Sequence, residues 1–281
     1  MKKKAVSKTR IAPSPNGHLH LGNVFNFLHT YRFSKKVKAS LALRIDDHDF
    51  VRCKSEYVDE IFKALDLLEI NIDEGPSSSD DFYLNYTQEK KREFYFSKLK
   101  ELKSQFVCEC SRKEVFKNNK EGIYSGVCHD KNLAFSSREN VIRYLCPNEV
   151  VKFRDHSVNI HKCIGDTILW RKDDIVSYQW MSLCEDLDME ITHIVRGEDL
   201  LNSSAIQVSL ANALGAKFVA TDNFHHHKLL QRNGEKLSKS RGDSGAMDLL
   251  KNDLGSVIRE YCRFFSLEEV SSVGELLSLE S

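Results

Sequence analysis

Thr9-Arg10-Ile11-Ala12-Pro13-Ser14-Pro15-Asn16-Gly17 reads as a strand running into a turn rich in proline and glycine. The next segment is helical: His20-Leu21-Gly22-Asn23 opens a run in which Val24, Phe27, Leu28 and Tyr31 fall at i, i+3, i+4 and i+7. A strand, a tight loop and a helix in that order is a layered α/β beginning, and the helix N-terminus offers N–H groups and a partial positive charge to an anion. Gly22 has no side chain, so a ligand can approach the backbone there. His20 and Asn23 can donate hydrogen bonds to phosphate or ribose oxygens. Alone, the segment is equally a turn with a solvent-exposed histidine.

A second segment lies most of the chain away. Gln231 to Arg241 carries four cations in 11 residues and is bracketed by Gly234 and Gly242. Within it, Lys236-Leu237-Ser238-Lys239-Ser240 sets two lysines on either side of a small serine, so both can meet one polyphosphate and offset charge building on a leaving pyrophosphate. By itself it is a solvated basic loop. The two segments together suggest ATP.

Between them the pattern alternates strands and helices. Ser40 to Ile45 reads as a second strand parallel to the first, and Val58, Ile61, Phe62, Leu65 and Leu68 mark the next helix. After Gly75-Pro76 a helix carries Phe94, Tyr95, Leu99 and Leu102. From Leu102 to Arg171 the pattern is short and mixed, which suits an insertion. Met189 to Val195 then reads as a strand ending in Arg196-Gly197, a helix with Ile206, Leu210 and Ala213 closes at Gly215, and Lys217 to Thr221 reads as an apolar strand. We therefore expect an α/β fold with a doubly wound parallel sheet: 1–101 as its first half, 102–171 as the insertion, 172–240 as its second half, and 241–281 as a short helical extension. Ligands in such sheets bind beyond the carboxyl ends of the strands, which brings Ser14, Asp46 and Arg196 to one crevice.

Composition is that of a compact cytoplasmic protein. At 281 residues and 41% hydrophobic the chain can bury a sizeable core. No apolar run reaches membrane-spanning length, and Met1 to Lys8 is basic without a following hydrophobic stretch, so neither export nor membrane anchoring is expected. With 41 basic and 41 acidic residues the net charge is zero, and any RNA contact must be local.

Eight cysteines without a secretion signal argue for thiols or a metal site before disulfides. Cys53, Cys146, Cys163, Cys184 and Cys262 show no ligand spacing and read as buried apolar groups. Cys108-Glu109-Cys110 and Cys128 supply three soft ligands, most of a tetrahedral zinc site, and His129 is the ordinary fourth donor.

His20 to Asn23 and Lys236 to Ser240 resemble the HIGH and KMSKS signatures of class I aminoacyl-tRNA synthetases, with leucine for methionine in the second. Arg10 to Pro15, Leu43-Arg44-Ile45-Asp46-Asp47-His48-Asp49 and Ile191 to Gly197 are similar to the glutamyl branch, in the same order. The resemblance implies a Rossmann-like catalytic domain that uses ATP and Mg²⁺ to activate L-glutamate. His20 and Lys239 would stabilise the in-line transition state and Lys236 the departing pyrophosphate, with Gly22, Asn23 and Ser238 also at the nucleotide. Arg10 and Arg196 would hold the side-chain carboxylate, as charge-assisted pairs can; Ala12, Ser14, Asp46 and Tyr178 would complete the amino-acid pocket. Asp46 stands where the family usually has glutamate, and Ser182 where some tRNA-charging members have asparagine.

Gly122-Ile123-Tyr124 with Cys128 resembles the zinc segment of the glutamyl-queuosine tRNA(Asp) synthetases, which implies Tyr124 in place of His129 as fourth ligand of a structural Zn²⁺. The same resemblance implies a monomer without an anticodon-binding domain, since only 41 residues follow Ser240. Glutamate would pass to the queuosine base in the anticodon loop of tRNA(Asp), and its activation would need no RNA. Two other readings stay open: a glutamate activator serving another acceptor, and a non-catalytic RNA-binding or regulatory paralogue.

Overall fold

The structure is a computed structural model and describes residues 7–232, 235–236 and 246–279. In chain order its elements begin β1 (Lys8–Ile11), α1 (Leu21–Val37), β2 (Ser40–Leu43), α2 (Ser55–Leu67), α3 (Ser79–Asp81) and α4 (Arg92–Glu101). Then come β3 (Gln105–Cys108), α5 (Arg112–Asn118), β4 (Val141–Tyr144), β5 (Val150–Lys152), β6 (Ser157–Asn159), α6 (Ile160–Cys163) and β7 (Ile168–Trp170). The rest are α7 (Tyr178–Asp188), β8 (Ile194–Gly197), α8 (Leu201–Ala213), β9 (Phe224–His227), β10 (Gln231–Arg232), β11 (Glu235–Lys236), α9 (Ala246–Phe264) and α10 (Val273–Ser278). Among the described residues no helix is long and apolar enough to cross a membrane.

The chain divides into two compact units, Met1–Thr87 with Thr192–Glu198 and His225–Ser281, and Gln88–Ile191 with Asp199–Phe224. In the first, β1 and β2 pair in parallel, Lys8 opposite Ser40 and Ile11 opposite Leu43. The crossover is α1, whose Val24, Phe27, Leu28 and Tyr31 are all buried, as their spacing predicts. These side chains share one core with Val58, Ile61 and Leu65 of α2 and with Leu250, Val257, Ile258 and Tyr261 of α9. Each such side chain contributes about 1.5–3 kcal/mol on burial. Gly75 is required where it stands: φ is 117°, and a Cβ would lie 2.2 Å from the carbonyl oxygen of Leu43. That approach lets the Leu43 amide donate to the Glu74 carbonyl at 2.8 Å.

On the other side of β1, the amides of Thr192 and His193 both donate to the Lys8 carbonyl at 3.0 Å. The regular strand starts only at Ile194, because Met189 caps α7 and the intervening residues turn onto Lys8. Lys217 to Thr221 is not a strand. The segment carries no ladder, and β8 pairs instead with β9, whose Phe-His-His-His sequence has no apolar alternation to announce it. Its hydrophobic residue Val219 is buried all the same. Among the described residues after 245 the chain forms α9 and α10, and α9 is kinked at Asp253 (φ −154°, ψ 65°).

The second unit holds an antiparallel sheet in the order β3-β4-β7. It starts before residue 102 and runs past 171, because α4 is bonded to α7. The Tyr95 hydroxyl donates to Glu185 Oε1 at 2.7 Å, and Trp180 Nε1 donates to the Tyr95 carbonyl at 2.9 Å. Lys91 adds an ion pair to Glu185 at 3.0 Å. Of the five cysteines read as buried, Cys146, Cys184 and Cys262 are; Cys53 is half-buried and Cys163 is exposed on the short helix α6.

Candidate functional site

His20 is the N-cap of α1, in extended backbone at φ −117° and ψ 166°. Its amide donates to Asn23 Oδ1 at 3.1 Å, so the Asn23 oxygen closes the cap and its amide nitrogen is the side that can face a ligand. No acidic residue occupies the first turn of α1, which leaves the positive end of the helix uncompensated there. Gly22 makes room for the histidine: a Cβ would lie 2.9 Å from the His20 ring. The preceding loop is pinned by Glu60, which meets His18 Nδ1 at 2.6 Å and accepts from the Leu19 amide at 3.2 Å.

Lys236 is in β11, which pairs with β10. Ser238 and Lys239 lie outside the described residues. The chain on both sides of this basic segment is tied to the His20 region. Upstream, His227 Nε2 and Asn26 Nδ2 are 2.9 Å apart; downstream, the Ala246 amide donates to the Leu19 carbonyl at 3.3 Å. His29, next on the same helix, stacks on Phe265 at 4.3 Å between ring centroids and meets His227 edge-on at 5.3 Å. Burial, followed by His227, Arg32 and His225, holds its pKa down at about 3, so it is neutral at working pH. None of Asn26, His29 or His227 is signalled by periodicity, since Asn26 and His227 are 201 residues apart.

Arg10, Ala12, Ser14, Asp46 and Arg196 all belong to the first unit. Arg10 and Arg196 are 3% and 4% exposed, and Arg10 Nη1 donates to the Val195 carbonyl at 3.5 Å, one residue from Arg196. The Asp46 amide donates to the Pro13 carbonyl at 2.8 Å, which sets it beside Ala12 and Ser14 at the ends of β1 and β2. Asp46 is gripped by Arg44, to which the motifs assign no role. Arg44 meets its two oxygens at 2.6 and 3.1 Å in a buried ion pair. An i, i+2 spacing in extended chain was the available signal. Tyr178 falls in the second unit, where it opens α7 behind the N-cap Ser177, and Ser182 is fully buried one turn on.

The second unit also gathers the thiols. The Sγ atoms of Cys108, Cys110 and Cys128 all lie within 4.8 Å of one another, with Cys110 to Cys128 at 3.5 Å. The Tyr124 hydroxyl is 3.7 Å from Cys110 Sγ and accepts from the Cys128 amide at 2.8 Å. Four donors bound at about 2.3 Å to one centre are separated by about 3.7 Å, so this set fits a tetrahedral ion. His129 does not join the three sulfurs. Its Nε2 is held 2.6 Å from Asp166, a buried carboxylate. Burial raises the Cys110 thiol to about 11, and burial with hydrogen bonds to the thiols drives the Tyr124 phenol up. For Cys128, burial is outweighed by hydrogen bonds from Tyr124, the Glu109 backbone and the other two thiols, and it sits below the usual thiol range.

The profile described as tRNA synthetases class I (E and Q), catalytic domain, matches residues 6–268. The chain belongs to this family. Among curated relatives, glutamate–tRNA ligase of Natranaerobius thermophilus is 34% identical over 260 residues, 85% of this chain and 52% of that protein. Glutamate–tRNA ligase of Buchnera aphidicola is 31% identical over 262 residues, 87% and 54% of the two chains. The chain thus spans about half the length of the curated relatives it matches. In fold, the chain is similar to the glutamate–tRNA synthetase of Elizabethkingia anophelis, with a TM-score of 0.77 at 24% identity over 98% of this chain and 66% of the other.

Proposed function

We propose that the chain activates L-glutamate with ATP and passes the glutamyl group to the queuosine base of tRNA(Asp). The observation that carries the activation step is the double anchoring of the basic segment: Asn26 with His227 before it and Leu19 with Ala246 after it tie both flanks to the residues around His20. On this reading an α-carboxylate oxygen of glutamate attacks the α-phosphorus of ATP, the bond to the bridging oxygen breaks, and pyrophosphate leaves with that electron pair. His20 and Lys239 stabilise charge on the α-phosphate and Lys236 on the leaving group, with Gly22, Asn23 and Ser238 shaping the nucleotide site; Mg²⁺ arriving with ATP would supply further neutralisation of phosphate charge. Arg10 and Arg196 hold the side-chain carboxylate. Ala12 and Ser14 line the pocket, and the α-ammonium group shares the Asp46 carboxylate with Arg44.

Zinc would be held by Cys108, Cys110, Tyr124 and Cys128, and with four protein donors it would tie the end of β3 to the 124–128 turn that follows α5. Tyr124→Phe is expected to weaken zinc at least about tenfold in competition with a chromogenic chelator, which is about 1.4 kcal/mol. His129→Ala should retain it. The reverse pattern would assign the fourth position to His129.

The tyrosine among three thiols supports the queuosine branch for the acceptor. The test is transfer of labelled glutamate from ATP-containing reactions to tRNA(Asp) with and without queuosine. Label should appear on the modified tRNA alone; equal labelling of both, or of neither, contradicts this acceptor and favours another one.

A further inference from the structure

Helix α2 serves two neighbours within the first unit. Val58, Ile61 and Leu65 bury one face in the core shared with α1 and α9. Lys54, Tyr57 and Glu60, spaced so that they follow one another along the helix, hold successive points of the loop that leads from β1 to His20. At the N-cap, the Lys54 amide donates to the Pro15 carbonyl at 3.3 Å. Next along, the His18 ring stands edge-on to Tyr57 with 4.9 Å between centroids, and Lys54 Nζ lies 5.4 Å from the centre of the same tyrosine ring. Glu60 then uses one oxygen on each of two consecutive residues, Oε1 on His18 Nδ1 at 2.6 Å and Oε2 on the Leu19 amide at 3.2 Å.

Glu60 has no part in the apolar face of α2, so packing does not explain it. Its contacts complete a backbone arrangement that α1 cannot complete alone. The His20 amide is taken by Asn23, a residue of the same helix, and that bond shapes the cap. The Leu19 amide is taken by a carboxylate from a different helix, and that bond fixes where the cap sits relative to the core. A carboxylate accepting from a backbone N–H makes a short, directional bond, stronger than a neutral one. Leu19 is held on its other side as well, since its carbonyl accepts from the Ala246 amide at 3.3 Å and its side chain is buried.

We infer that Glu60 is a positioning residue for adenylate formation: it holds the backbone immediately ahead of His20 so that the imidazole meets the α-phosphate, and it touches no reactant itself. This role rests on the activation reading above. Losing Glu60 leaves the Asn23 cap in place but releases the peptide on which the cap is mounted, and a misplacement of about 1 Å can cost about a hundredfold in rate. Alanine is the best helix former, so Glu60→Ala should preserve α2.

The test is glutamate-dependent pyrophosphate exchange by the full chain as wild type, Glu60→Ala, Glu60→Gln, His20→Asn, and Glu60→Ala combined with His20→Asn. Glu60→Ala should lower kcat about tenfold to a hundredfold while KM for glutamate holds, because none of the residues assigned to glutamate is tied to Glu60. Glu60→Gln keeps an oxygen for the Leu19 amide and offers its own amide to His18, so it should recover most of that loss. In the His20→Asn chain there is no imidazole to place, and Glu60→Ala should then cost less than about twofold, since an effect carried through a second residue disappears with that residue. A loss of general stability would instead cost the same in both backgrounds. Equal costs in the two backgrounds, a Glu60→Gln chain no better than Glu60→Ala, or a fully active Glu60→Ala chain overturns the role and leaves the activation reading standing. A wild type that shows no exchange with glutamate overturns both.

Discussion

Replacing His20 by asparagine is expected to lower kcat for glutamate-dependent pyrophosphate exchange by about a hundredfold to a thousandfold, the usual loss when one donor to a developing anion is removed. Asparagine is itself a good helix N-cap, so the variant keeps the start of α1 and removes only the imidazole. Thermal melting should therefore stay where it is and KM for glutamate should change little, because the contact is made in the transition state. This separates a catalytic histidine from a capping one. If His20→Asn exchanges at the wild-type rate while His20→Gly unfolds, the side chain serves the turn and the assignment fails. Gly22→Ala should move in the same direction, since its new methyl would displace the His20 ring it approaches at 2.9 Å.

The second large effect concerns Arg196. Truncating one member of a buried charge pair costs about 3–4 kcal/mol, so Arg196→Gln should depress kcat/KM for glutamate roughly a hundredfold to a thousandfold. KM for ATP should hold. Glutamine, which carries no charge to match, should lose far less, so the ratio of glutamate to glutamine activation falls. Removing a nearly fully buried arginine can also weaken the fold, and Arg196→Lys is the control: it keeps charge without the planar fork and should still lose at least about tenfold in kcat/KM. Equal losses for glutamate and glutamine would mean that Arg196 supports the strand and does not read the substrate.

Local periodicity made the first half of the fold legible. The spacing of Val24, Phe27, Leu28 and Tyr31 predicts the buried face of α1, and the Pro/Gly turn before it predicts where that helix begins. Where pairing over long distances decides, the sequence misleads. The apolar stretch at 217–221 has strand composition, yet the histidine-rich 224–227 takes the ladder with β8, because a partner and not hydrophobicity makes a strand. Tyr95 and Glu185, 90 residues apart, bind α4 to α7, a contact that no local pattern announces.

The site shows the same division. Residue types at fixed spacing named His20, the thiols and the two arginines, whereas their supports came only from three dimensions. Arg44 holds Asp46, Asp166 holds His129 away from the thiols, and Asn26 with His227 anchors the basic segment. Between Tyr124 and His129, spacing alone left the fourth donor open; the hydroxyl at 3.7 Å from Cys110 is what favours the tyrosine.

Pyrophosphate exchange measured with each proteinogenic amino acid in turn, with ATP and Mg²⁺ and no tRNA, tests the activation reading most directly. Exchange supported by glutamate alone and at full rate without RNA is the predicted result. Exchange with no amino acid, preference for a different one, or an absolute need for tRNA would contradict it.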